Sequence, residues 1–213
     1  KKGFEWAGEL HQAEEAASTM TQKERQERSR REILRAAMEE FGTHGYDAVS
    51  MENICVRHGI SKGMMYHYYS NKDELFLLCV ETIFRQLQKE IESRAPSLVE
   101  EETLYAIRDF CLLREDYFQR NPQQELVFET ALLRPPRQLA EAIHTLHRPL
   151  YEVNQRFFHA ITARMTLRPG LSGEKVTRYL ECVNTYFWQL AAQYRAETGT
   201  PVQDVHSRSR WRK

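Results

Sequence analysis

The chain is poor in the residues that build turns, with 9 glycines and 7 prolines among 213 residues. An all-β sandwich or barrel needs a turn every few residues, so this scarcity disfavours both architectures. Long apolar runs are also missing. The longest, residues 75–80, falls far below the ~20 residues of a membrane-spanning helix. The formal net charge is zero, so only local charge can indicate a nucleic-acid partner.

Cysteine is scarce as well, because the four cysteines are widely spaced and form no Cys-x-x-Cys motif. This pattern disfavours disulfide scaffolds and metal sites, and it predicts reduced, mostly buried thiols in a cytoplasmic protein. The polar residues 1–20 lack the apolar core of a secretory signal. We expect residues 1–20 to be an N-terminal extension that is non-native or disordered, with Met20 as the native initiator. A genuine native extension is the alternative.

The chain does contain a succession of helical patterns. Apolar residues at three- and four-residue spacing predict helices from residue 21 to about 198. Candidate capping residues open four of them: Thr21 with Glu24, Ser50, Ser61, and Ser70 with Asp73. We expect glycine and proline to end helices at Gly42 and Gly45, Gly59, Pro96, Pro122, Pro135 and Pro149. The predicted fold is all-α, and a basic polar tail is expected over 200–213.

Residues 50–75 carry the most specific pattern, two short predicted helices joined by His58-Gly59-Ile60-Ser61. Gly59 tolerates the positive φ that a sharp turn needs, Ile60 can fill the angle between the helices, and Ser61 can cap the second helix. These features predict a helix-turn-helix, whose second helix enters the major groove of DNA.

Local charge supports this interpretation, because no acidic residue occurs from Asn53 to Lys72 and phosphates can therefore approach. The first turns of the second helix can reach base edges, and the flanking residues can hold phosphates. The predicted DNA contacts are Ser50, Ser61, Lys62, Gly63, Met64, Tyr66, His67 and Lys72.

Residues 30–75 resemble the DNA-binding domain of the TetR family of bacterial transcriptional regulators. The resemblance rests on the run Gly59-Ile60-Ser61-Lys62-Gly63 followed by Tyr66, Tyr69 and Lys72. It implies a homodimer on inverted-repeat operator DNA. In each subunit, a three-helix DNA-binding domain (21–70) joins a larger helical domain (71–199) that dimerises and binds a small effector. It also implies phosphate contacts from Tyr66 and Lys72, with Lys62 and His67 as candidate base or backbone readers.

Three positions depart from the family pattern. Met64 stands where the family often has a small hydroxyl residue, and it is expected to contact a thymine methyl group. Cys55 and His58 stand where small residues are usual. We expect His58 to be half exposed beside the DNA.

The larger domain offers weaker patterns. Aromatic residues beside a few polar groups predict a ligand pocket for an apolar or aromatic effector, with ordinary core packing as the alternative. Arg114 or His144 can bind an anionic ligand. The favoured alternative is that each forms a surface ion pair, with Glu115 or Glu141. The pocket candidates are Tyr105, Phe110, Cys111, Arg114, Phe118, Phe128, Asn154, Phe158 and Trp188.

Two helices with apolar residues at near-heptad spacing predict a dimer interface, and an intramolecular core would give the same periodicity. The candidates are Leu150, Val153, Phe157, Ile161, Val176, Leu180, Val183, Phe187, Leu190 and Tyr194.

Rival interpretations are weaker. Residues 59–63 match Gly-x-Ser-x-Gly, but a hydrolase elbow needs a preceding strand. His144 and His147 could pair on a metal, although a solvated helix face is the expected alternative. We expect no enzyme, no metal and no cofactor. Two function hypotheses remain: a repressor released by an effector, or a ligand-independent structural or cell-cycle factor bound to DNA and regulated by protein partners.

Overall fold

The computed structural model describes residues 21–198, without the side chains of Trp188 and five of the residues that follow it. The segments expected as an extension (1–20) and a tail (200–213) lie outside the described residues. Within 21–198 there is no strand, which confirms the predicted all-α fold. The helices are α1 Gln22–Ala48, α2 Met51–His58, α3 Lys62–Tyr68, α4 Lys72–Val99, α5 Thr103–Arg120, α6 Pro122–Leu133, a 3₁₀ turn Arg137–Leu139, α7 Ala140–Ala163 and α8 Gly173–Thr198.

The start of α1 follows the sequence prediction, whereas the start of α4 does not. Thr21 and Glu24 form the predicted capping box. At α4 the cap is Asn71, whose side chain accepts from the Glu74 N–H at 2.9 Å. Glu74 reaches back to Ser70, so the predicted pairing of Ser70 with Asp73 is wrong by one residue.

Two prolines expected to end helices lie inside them, Pro96 in α4 and Pro149 in α7. An internal proline costs about 3 kcal/mol in lost hydrogen bonding and clash. Buried side chains flank both prolines, Ile91 and Leu98 in α4, Ile143 and Leu150 in α7. Their packing offsets the local cost, and each helix continues.

One continuous apolar core extends from α1 to α7. The helix-turn-helix packs on α1, which in turn packs along α6, and α4 packs along α7. α1 and α4 therefore belong to both halves of the molecule, and the division into 21–70 and 71–199 stays a prediction. Within residues 21–198, no helix has the combined length and apolar character needed to cross a bilayer.

Candidate nucleic-acid interface

The turn between α2 and α3 has the geometry that its residues predict. Gly59 adopts the left-handed conformation (φ 66°, ψ 22°) in which a side chain would be strained. Ile60 is 3% exposed and fills the angle between the helices. The Ser61 hydroxyl accepts from the Met64 N–H at 3.1 Å, and Ser50 caps α2 in the same way. The turn is thereby fixed by caps at both helices.

One face of α3 is exposed and the opposite face is buried. Lys62, Gly63, Tyr66 and His67 are exposed, whereas Met65 is fully buried in the core. Met64 is only partly exposed and packs against the core, so little of its side chain is available for the expected methyl contact. The exposed face carries four of the eight predicted DNA contacts.

A carboxylate that the sequence placed outside the acid-free window lies next to this face. The Tyr66 hydroxyl donates to Glu52 Oε1 at 2.9 Å. The pKa of Glu52 is lowered by its own backbone N–H, by Tyr66 and by the charge of Lys62. Tyr66 therefore already has a hydrogen-bond partner within the protein when it meets a phosphate. Glu52 is a site residue that sequence reasoning missed.

Lys72 also has a partner inside the protein. Its ammonium donates to the Tyr46 carbonyl at 3.1 Å and lies 4.1 Å from the centroid of the Tyr46 ring. This contact fastens the start of α4 to the end of α1. An ammonium has three N–H donors, so a phosphate contact from Lys72 stays a prediction.

His58 does not lie half exposed beside the DNA, so that expectation is wrong. Its side chain is 9% exposed, and Nε2 is 3.2 Å from the buried carboxylate of Glu40 on α1. Arg57 reaches the other oxygen of the same carboxylate at 2.7 Å. The carboxylate of Glu40 draws both side chains onto α1, and this pairing fixes α2 against α1.

A second basic surface lies on the first turns of α1. Residues 22–35 contain six basic and three acidic residues, and the basic ones are exposed. The guanidinium of Arg30 is 5.4 Å from the ring centroid of Tyr68, the last residue of α3. The excess of arginine in this segment was the available signal, and sequence reasoning did not use it.

Most of the predicted pocket residues are packed in the interior. Phe110, Cys111, Phe118, Phe128 and Phe158 are buried, and the ring of Phe110 packs on that of Phe158 and the ring of Phe118 on that of Phe128. Tyr105 is 53% exposed at the surface. The side chain of Trp188 lies outside the described residues.

Arg114 and Asn154 do line a cavity of about 380 Å³ between α5, α6, α7 and α8. Its other described lining residues are Ala131, Leu132, Leu133, Pro135, Ala140, Ile143, His144, His147, Tyr151, Asn184 and Thr185. The aromatic pattern in the sequence identified core residues rather than residues that line this cavity. Buried rings and ligand-contacting rings have the same helical spacing, so the pattern does not separate them.

The predicted dimer interface divides in two. Leu150, Val153, Phe157 and Ile161 on α7 are each at most 3% exposed within a single chain, so the prediction is wrong for them and the intramolecular alternative holds. On α8, Val176, Leu180 and Phe187 are partly buried. An exposed apolar stripe, hereafter the α8 stripe, consists of Tyr179, Val183, Tyr186, Leu190 and Tyr194.

The rival chemistries gain no support. Ser61 follows a helix and a turn and caps α3, a setting unlike a strand-to-helix elbow. In the described part of the chain no group of three His, Cys, Asp or Glu residues is placed to hold a metal ion.

Residues 33–79, which contain α2, α3 and their turn, match the family model for bacterial regulatory proteins of the tetR family. The chain carries a TetR-family DNA-binding domain. It is 35% identical over 83 residues to YhgD, an uncharacterized HTH-type transcriptional regulator of Bacillus subtilis (strain 168), covering 37% of this chain and 44% of the relative. It is 44% identical over 46 residues to the HTH-type transcriptional repressor AcnR of Corynebacterium jeikeium (strain K411), covering 22% and 24%.

A structural likeness to a solved protein extends beyond this domain. The SmeT–triclosan complex superposes with a TM-score of 0.56 at 21% identity, covering 74% of this chain and 77% of SmeT. That likeness shows the fold alone. The matches to the curated relatives span less than half of their length.

Proposed function

We propose that this TetR-like protein is a transcriptional repressor that acts as a homodimer in the bacterial cytoplasm, binds an inverted-repeat operator and is released by a small effector. The observation that carries the proposal is the exposed face of α3, held by a capped glycine turn, with Lys62 and His67 on it and Met65 anchored beneath. The relatives are described as regulators or repressors. The proposal includes no catalytic step.

The proposed binding to DNA rests on how α3 can lie in the major groove. Its N-terminal residues Lys62 and Gly63 face solvent, and nothing lies within 4 Å of a Cβ built on Gly63. Base edges are read from such a position, and the basic side chains of α1 and Lys72 supply phosphate contacts. The carboxylate of Glu52 beside Tyr66 adds an acceptor that can favour cytosine over other bases.

The proposed dimer rests on the α8 stripe. Its five residues recur at three- and four-residue intervals along one side of α8, and each is at least 37% exposed. An apolar stripe of this kind indicates a protein contact. A second copy packing α8 against α8 would place two α3 helices on one side of the dimer, one helical turn of DNA (~34–36 Å) or slightly more apart.

The proposed release by an effector rests on the cavity. A cavity favours a ligand-responsive repressor over a factor regulated by protein partners alone. A volume of about 380 Å³ falls within the range of small-molecule sites, roughly 300–1,000 Å³. Both α6 and α7 contribute to the cavity wall, and α6 packs on α1 while α7 packs on α4. A ligand that fits better with one arrangement of these helices shifts the population of the DNA-binding state.

The test is selection of binding sites from random duplex DNA, followed by titration of the enriched site against salt. We expect an inverted repeat bound with a steep salt dependence. Gly63→Ala should fold normally, because the added methyl meets no neighbour, and should lose operator affinity because DNA approaches that backbone. Lys72→Ala should weaken binding to all sequences and reduce the salt slope, whereas Lys62→Ala should also relax sequence preference. No enriched repeat, together with unchanged binding by Gly63→Ala, would contradict the assignment.

A further inference from the structure

The cavity between α5, α6, α7 and α8 is lined by both apolar and basic side chains. Leu132, Leu133 and Ile143 are among the apolar ones, and Arg114, His144 and His147 are the basic ones. No described lining residue is acidic, although the whole chain has equal numbers of acidic and basic residues. A site with this lining attracts anions and repels cations.

Arg114 provides the fixed positive charge. Its guanidinium lies 5.3 Å from the ring centroid of Phe128, a contact that holds it in place within the wall. Burial lowers the pKa of Arg114 to about 10, so the group remains a cation at pH 7. A guanidinium binds a carboxylate through two parallel hydrogen bonds, which makes Arg114 suited to that group.

His147 contributes no charge at neutral pH. Burial, with the nearby charges of Arg114 and His144, lowers its pKa to about 4. Its ring packs 5.2 Å from the ring of Phe84, which leaves it as a neutral donor or acceptor in the wall. The cavity therefore offers one strong cationic anchor rather than a diffuse positive surface.

Asn154 supplies an unused acceptor. The residue is 7% exposed and lines the cavity, and its Oδ1 has no hydrogen-bond partner among the described residues. Buried polar atoms are nearly always paired, so an unpaired acceptor in a cavity wall indicates that a ligand donor fits there. Water alone would not explain why apolar residues, Leu132, Leu133 and Ile143 among them, also line this cavity.

Building on the proposed function, we propose that the effector is an organic monocarboxylate with an apolar body and one hydroxyl or amide donor. Its carboxylate binds Arg114, its donor binds Asn154 Oδ1, and its body packs against Leu132, Leu133 and Ile143.

Four small molecules of similar size test this on the full chain by calorimetry and thermal shift. The first, 3-(4-hydroxyphenyl)propanoate, has both the charge and the donor. The second, 3-phenylpropanoate, lacks the donor. The third is the methyl ester of the first and lacks the charge, and the fourth, tyramine, replaces the anion with a cation. We expect the hydroxy acid to bind most tightly, its ester and tyramine at least tenfold more weakly, and 3-phenylpropanoate in between.

Two variants assign the binding groups. Asn154→Leu should bind the hydroxy acid and 3-phenylpropanoate equally, because the acceptor is gone while the cation remains. Asn154→Asp keeps the size of the side chain and adds a negative charge, so it should weaken both carboxylates at least tenfold. Arg114→Gln should bind the hydroxy acid no more tightly than its methyl ester. If that variant fails to fold, Asn154→Leu, Asn154→Asp and the four molecules still decide the question.

Equal binding of the ester, tighter binding of tyramine, or no binding of any of the four at millimolar concentration would each overturn the proposal. Operator binding is measured separately on the selected DNA. A carboxylate that binds without releasing DNA would leave the anion site standing and refute its role as effector. DNA binding in a chain that takes no carboxylate would refute only this inference.

Discussion

Gln138 donates from Nε2 to the Tyr46 hydroxyl at 2.9 Å, joining positions 92 residues apart in the chain. The Tyr46 hydroxyl donates in turn to Asp73 in the first turn of α4. Burial, together with Asp73, raises the pKa of Tyr46 to about 12, so it remains a donor at neutral pH. Gln138 lies between Pro135 and Ala140, which both line the cavity. The contact therefore links the cavity wall to the junction of α1 and α4.

Replacing Gln138 tests this link. Gln138→Leu removes the donor at the junction and should lower the free energy of unfolding by about 0.5–1 kcal/mol. Chemical denaturation measures the loss, and titration with the selected operator measures whether DNA affinity changes with it. Gln88→Leu is the matched control, because it removes a hydrogen bond to Glu92 on the exposed side of α4. An unchanged operator affinity in Gln138→Leu would contradict a coupling role for the contact.

Gly42 has a structural role that its position in a helix hides. A Cβ built there would overlap the backbone carbonyl of Gln123 at the start of α6. Gly42→Ala must push α6 away from α1, and we expect a loss of about 1–3 kcal/mol in unfolding free energy. Gly63→Ala is the control, since alanine in a helix without a clash gains about 0.5–1 kcal/mol over glycine. Equal stability of the two variants would contradict the close approach.

Gly59 and Gly42 show what the sequence could predict and what it could not. The turn at Gly59, the cap at Ser61 and the plug at Ile60 are local features, so the helix-turn-helix could be predicted from a few adjacent residues. Gly42 and Gly45 were both expected to end the first helix. Gly45 does interrupt it, with a φ of 75°, whereas Gly42 lies within the helix and contacts a helix that begins 80 residues later. A single sequence does not show which distant segment will approach.

The predictions for the candidate sites also failed where they depended on residues distant in the chain. His58 was misplaced because its partner, Glu40, lies 18 residues earlier, and the burial of that carboxylate follows from tertiary packing. Phe157 and Phe110 stack with ring centroids 3.8 Å apart, which decides between core and interface for α7. Periodicity identified which residues are apolar on each helix, and only the packing of α5 on α7 and α8 separated core, cavity and exposed stripe.

The pairing of Glu40 with Arg57 and His58 should matter for the stability of the DNA-binding domain. Glu40→Ala leaves Arg57 and the nearly buried His58 without their shared carboxylate, and we expect a loss of about 2–3 kcal/mol in unfolding free energy. Urea denaturation followed by circular dichroism measures it. Glu39→Ala removes an exposed pair with Arg35 and should cost less than about 0.5 kcal/mol. Comparable losses in the two variants would refute the role of Glu40.

Cys182 offers a probe of the α8 stripe. The sequence predicted mostly buried thiols, and Cys55, Cys79 and Cys111 are buried, whereas Cys182 is exposed between Tyr179 and Tyr186. Burial raises the pKa values of the other three thiols, to about 11 for Cys111. We expect one fast-reacting thiol per chain with Ellman's reagent, absent in Cys182→Ser. If α8 forms the dimer interface, the fast reaction should speed up as the protein is diluted to monomer. A rate independent of protein concentration would argue against that interface.

His147 predicts how stability responds to acid. Burial lowers its pKa from the usual 6.5 to about 4 in the folded chain. Above pH 6.5 both the folded and the unfolded chain hold the neutral ring, so pH has no effect through this group. Between pH 6.5 and 4 the unfolded chain takes up a proton that the folded chain does not, and stability falls as the pH falls. The full loss is at most about 3 kcal/mol.

The measurement compares urea midpoints of the wild type and His147→Phe at pH 7 and pH 5. Phenylalanine keeps an aromatic ring against Phe84 and cannot titrate, so the variant should lose less stability between the two pH values than the wild type. His159→Phe is the control, because that histidine is exposed on the same helix. Carboxylates contribute equally to all three proteins over this interval and cancel in the comparison. If all three proteins lose stability in parallel, a charged His147 is tolerated inside the folded chain, and the cavity wall must admit water to the ring.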